Sequence, residues 1–116
     1  GAAAFSEPET AALRDYVAQN KPAGVVAYYA AAGGVYASSC QNGVSADTSE
    51  LTQLYADASG YGANQEFDSY EVTGDMVNWF AKQGVPAISV LLSNHTDIEW
   101  AQNLKGITAV LARYAN

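Results

Sequence analysis

The chain has 116 residues, 49% of them hydrophobic and 15% charged, which is the length and balance of one folded domain and excludes a disordered segment. Twelve Asp and Glu against five Lys and Arg leave a net charge of −7, which repels phosphate backbones and anionic lipid and argues against nucleic-acid and membrane partners. A single cysteine, Cys40, and a single histidine, His95, exclude an internal disulfide, a thiolate cluster and a histidine-rich zinc site.

No apolar run approaches the roughly 20 residues that span a bilayer. The opening Gly1-Ala2-Ala3-Ala4 lacks the basic and apolar regions of a signal peptide and reads as a tag remnant or a deliberate replacement. The first predicted element is a helix. Ser6 as N-cap, Pro8 in the first turn and Glu9 three residues on are start signals. Ala12, Leu13, Tyr16 and Val17 then repeat at helical spacing up to about Asn20. The run from Ala23 to Ala30 is short, continuous and apolar, which predicts a central strand covered on both faces. Gly33-Gly34 makes a turn into a second strand, Val35–Ser39. Asp47-Thr48-Ser49-Glu50 opens a second helix with Leu51, Leu54, Tyr55 and Ala58 on its apolar face, and Gly60 closes it.

Residues 61–75 are irregular, polar and aromatic, the kind of loop that carries function on an α/β scaffold. A third helix follows from Asp75 to Gln83, stopped by Gly84. Pro86–Leu92 reads as another buried strand, and a last helix runs from Asp97 to Ala115 with Ile98, Ala101, Leu104, Ile107, Val110, Leu111 and Tyr114 toward the core. Helices alternating with buried strands predict a three-layer α/β/α sandwich with a small mixed sheet, one domain over residues 1–116.

Little in the chain carries chemistry by itself. Cys40 and His95 would have to meet to form a nucleophile and base, and nothing around Cys40 but two serines would activate it. There is no G-x-S-x-G elbow, and neither Gly33-Gly34 nor Gly60-Tyr61-Gly62 continues as a phosphate loop. Paired carboxylates could serve glycoside chemistry, but Asp47, Asp75 and Asp97 stand where helix starts favour acids and the others read as solvated surface. Asn94-His95-Thr96 is a glycosylation sequon, short enough to arise by chance.

One likeness covers nearly the whole chain. Phe5-Ser6-Glu7-Pro8-Glu9-Thr10-Ala11-Ala12-Leu13-Arg14 resembles a helix start of the bacterial zinc carboxypeptidases of the carboxypeptidase A type, the M14 family. Tyr70-Glu71-Val72-Thr73-Gly74-Asp75, Trp79, Gly84–Val90 and Asn94-His95-Thr96-Asp97 continue it in the same order. The resemblance implies the C-terminal half of that family's catalytic domain, truncated and engineered. It places the family's H-x-x-E zinc motif and its substrate-binding arginines upstream, and no H-x-x-E occurs here. It implies that the third zinc ligand's position holds Tyr29 and the general base's position holds Leu91. It further implies that Tyr70 corresponds to a mobile tyrosine covering the substrate.

The expected reading is thus a non-catalytic domain with no catalytic residue, no metal and no cofactor. A weak peptide-binding module or pseudoenzyme fragment using the 61–75 loop, with Tyr61, Phe67 and Tyr70 lining a remnant groove, is the alternative. Half of a split metallocarboxypeptidase is another, and Tyr29 and Leu91 argue against it. A halved sheet is also expected to leave a free edge through which the chain self-associates.

Overall fold

A computed structural model describes residues 1–115. Four helices and four strands alternate along the chain: α1 (Pro8–Gln19), β1 (Val25–Ala30), β2 (Gly34–Ala37), α2 (Ala46–Ser59), β3 (Ala63–Asn64), α3 (Met76–Lys82), β4 (Ala87–Leu92) and α4 (Trp100–Tyr114). The strands form one mixed sheet in the order β1-β4-β2-β3. β4 runs parallel to β1 and antiparallel to β2, and the two-residue β3 lies parallel to β2.

Two apolar layers sandwich this sheet, as the alternating pattern predicts. On one face Leu51, Tyr55 and Ala56 of α2 pack on Val35, Ile88 and Val90, with Ile107, Val110 and Tyr114 of α4 against the same cluster. On the other face Val17 of α1 and Val77 and Phe80 of α3 pack on Ala27, Val85 and Ala87. Period-two alternation along β1 and β4 sorts the side chains to the two layers.

The strand predicted to be central is instead an edge. β1 pairs only with β4, and its last three residues, Tyr28, Tyr29 and Ala30, are exposed. The strand buried on both sides is β4. An apolar run signals burial but not position in the sheet, and tyrosine is equally suited to a wet edge.

Helix starts also shift from their predicted places. Pro8 biases the residue before it away from helical dihedrals. Glu7 accordingly takes the cap position at φ −90°, ψ 141°, in place of Ser6. α2 begins at Ala46, because the Ser45 hydroxyl accepts from the Thr48 N–H at 3.1 Å. Asp75 caps α3 as predicted, accepting from Val77 and Asn78. α4 begins three residues late. Asn94 accepts from the Thr96 and Asp97 N–H groups and Asp97 from that of Glu99, local bonds that compete with helix.

The buried face of α4 differs as well. Asn103 and Gly106 are its buried residues, while Ile98, Leu104 and Leu111 of the predicted core face are exposed. Along α1 only Val17 is buried.

Candidate functional site

The parallel pairing of β1 with β4 sets Tyr29 directly beside Leu91. Alternation turns Ser89 and Leu91 toward the α3 layer, and the antiparallel register brings Tyr36 of β2 opposite Ser89. The loop after β3 then folds back over this floor. Phe67 meets Tyr36 edge-on at 5.3 Å between ring centroids and Tyr70 at 4.9 Å. The start of α3 closes the far side with Asp75, Val77 and Asn78, and the Asn78 side-chain oxygen accepts from the Ser39 N–H at 2.9 Å. Together these elements line an open cavity of about 550 Å3.

Tyr29, Leu91 and Tyr70, the three positions singled out in the sequence, all line this cavity. Leu91 is 9% exposed, Tyr29 45% and Tyr70 69%. Partial burial raises the Tyr29 pKa, and the negative charge of Asp75 raises it further. The phenol therefore stays neutral at physiological pH. Of the predicted binding loop, Phe67 and Tyr70 reach the cavity. Tyr61 does not, being buried in the opposite layer beneath α2. There its hydroxyl accepts from Asn103, which in turn accepts from Tyr55.

Sequence reading missed Tyr36 and Ser89, which meet only through strand pairing across dozens of residues, and Asn78, which the start of α3 brings to the Ser39 N–H after β2. Period-two alternation would have marked Ser89 as facing opposite Ile88 and Val90. Cys40 and His95 are not brought together. Cys40 follows β2 beyond Ala37, beside the start of β4, while His95 lies past the other end of β4. The Cys40 N–H and carbonyl are tied to Gly43.

The cavity's titratable side chains are carboxylates and tyrosines, with no Lys, Arg, His or Cys lining it. Among the described residues no group of three or more His, Cys, Asp or Glu is placed to hold a metal ion. The zinc implied by the resemblance does not fit Tyr29 and Leu91. A leucine offers no donor atom, and a neutral phenol is not among zinc's ordinary ligands. No helix among the described residues is long and apolar enough to cross a membrane.

The fold has a solved counterpart. The murein-tripeptide amidase MpaA from Escherichia coli O157 superposes with a TM-score of 0.66 at 24% identity, covering 94% of this chain and 42% of that one. The likeness shows a shared α/β fold, and this chain spans less than half of the amidase's length. No protein-family model matches the sequence, and no curated protein matches it.

Proposed function

We propose that this chain is a non-catalytic domain of carboxypeptidase-like fold whose cavity binds a peptide segment without converting it. The observation that carries this reading is the pair at the cavity floor. Tyr29 and Leu91 are register partners on β1 and β4, at the two positions where the resemblance implies a zinc ligand and a general base. A leucine cannot take a proton, and it cannot polarise water. Burying it costs nothing, whereas an unpaired buried carboxylate there would cost several kcal/mol. The open, aromatic-walled cavity that remains is suited to holding a side chain.

Two measurements test the two halves of the reading. Incubation with zinc and blocked peptides should give no hydrolysis above background for the chain or for its Leu91→Glu variant. Turnover abolished by a chelator would overturn the non-catalytic half. Short peptides titrated to millimolar concentration should shift the amide resonances of Tyr36, Phe67, Tyr70 and Ser89. Unmoved resonances would end the binding half.

A further inference from the structure

We infer that the cavity selects an organic cation, the ammonium or guanidinium end of a lysine or arginine side chain, over a free carboxylate. The inference rests on the binding reading above and names the ligand class of that same site. It reverses the expectation drawn from the resemblance, which supposes arginines that hold a substrate carboxylate.

Charge makes the first argument. Glu66, Asp68, Glu71 and Asp75 all line the cavity, and no basic side chain does. The imbalance is regional: residues 22–81 contain no Lys, Arg or His and carry the whole net charge of −7, while the flanking segments balance their acids against the five bases. Asp75 is engaged in capping α3. Glu66, Asp68 and Glu71 are exposed and have no ion-pair partner among the described residues. A carboxylate guest would meet four like charges and no compensating cation, a juxtaposition that binding sites use to reject partners.

The walls supply the second argument. Tyr29, Tyr36, Phe67 and Tyr70 line the same cavity as the acids. Aromatic faces attract organic cations, and the aliphatic stem of lysine or arginine packs on rings and on Leu91 while its head stays near the carboxylates. A metal ion is the wrong guest, because no three of these acids converge as a metal would require. A diffuse acidic rim over an aromatic floor matches a cation on a stem.

The test compares three probes by amide-resonance titration: Nα-acetyl-lysine methylamide, its uncharged norleucine counterpart, and N-acetyl-phenylalanine with a free carboxylate. The lysine compound should saturate shifts at Tyr36, Phe67, Ser89 and Leu91 at concentrations roughly threefold or more below the norleucine compound, and 0.5 M salt should shrink that gap. The double variant Asp68→Asn, Glu71→Gln should weaken the lysine compound about fivefold and leave the norleucine compound unchanged. Phe67→Leu should weaken the lysine compound about threefold. If the norleucine or phenylalanine compound binds as tightly as the lysine compound, the cation selectivity is wrong and the binding reading stands. If none of the three moves the cavity resonances, both fall.

Discussion

Among single residues, the tyrosines carry most of what is specific to this fold. Tyr55 is fully buried, yet its hydroxyl has two partners: it donates to the Asn103 side-chain oxygen at 2.7 Å and lies 2.8 Å from the Tyr28 hydroxyl. Burial raises the pKa of Tyr28, Tyr55, Tyr61 and Tyr114, and the Tyr28 hydroxyl adds to the rise at Tyr55. The sign of the linkage follows. Below the ordinary tyrosine value of 10.0 both folded and unfolded chains are protonated and stability is complete. Above it the unfolded chain loses protons that the folded chain keeps, so stability falls. Tyr55 alone should contribute a slope of about 1.4 kcal/mol per pH unit above that point. Urea unfolding midpoints between pH 8 and 11 should therefore hold level and then drop, and Tyr55→Phe should flatten the drop while lowering stability throughout. A midpoint that stays level to pH 11 would mean the buried tyrosines ionise inside the fold. From sequence, Tyr55 was legible as a core residue. Its bond to Asn103 was not, because the partner stands 48 positions away on another helix.

At the level of elements, α4 shows where pattern reading stops. Its apolar residues fit more than one helical stripe, and the stripe containing Trp100, Leu104 and Leu111 is the one left exposed. The inward line runs through the buried Asn103 and Gly106 and the half-buried Val110 and Tyr114, chosen by what α2 presents. A polar residue and a glycine at the contact hide it from any hydrophobic count. Gly106 is there because α4 rides directly on the Tyr55 ring: a β-carbon at that position would lie 2.4 Å from the ring. Two effects therefore compete in Gly106→Ala. Helix propensity favours alanine by about 1 kcal/mol, and overpacking against a buried ring costs about 2 kcal/mol or more. The clash should win, giving a net loss of about 1 kcal/mol or more in urea unfolding, relieved when Tyr55→Leu is added. A more stable Gly106→Ala protein would show that α4 sits farther from α2. The helix starts, by contrast, were legible to within a few residues. Their remaining errors trace to Pro8 and to the turn-forming Asn94 and Asp97.

For the whole molecule, the layer architecture was legible because strands and helices differ in period, and Tyr29, Leu91 and Tyr70 do share one cavity. The strand order was not legible. It depends on β4 inserting between β1 and β2, a pairing over some sixty residues that no local signal encodes. That order leaves two unequal edges. β3 is only two residues long, which blunts its side. β1 offers six residues, Val25–Ala30, with no proline, charge or bulge. Since the Val25 N–H bonds inward to Pro86, alternation turns the main-chain groups of Val26, Tyr28 and Ala30 outward, where β4 cannot reach them. Pairing of this edge with a second copy is the predicted outcome, and the net charge of −7 opposes the approach. Screening decides between the two, since charge repulsion at about 0.1 M salt fades beyond roughly 10 Å whereas main-chain pairing does not. Sedimentation should show mass rising with concentration, more steeply at 0.5 M than at 0.05 M salt. Ala30→Lys, which places a charge on the edge strand, should restore the monomer at both. A chain that stays monomeric at millimolar concentration in high salt would show that the β1 edge does not pair.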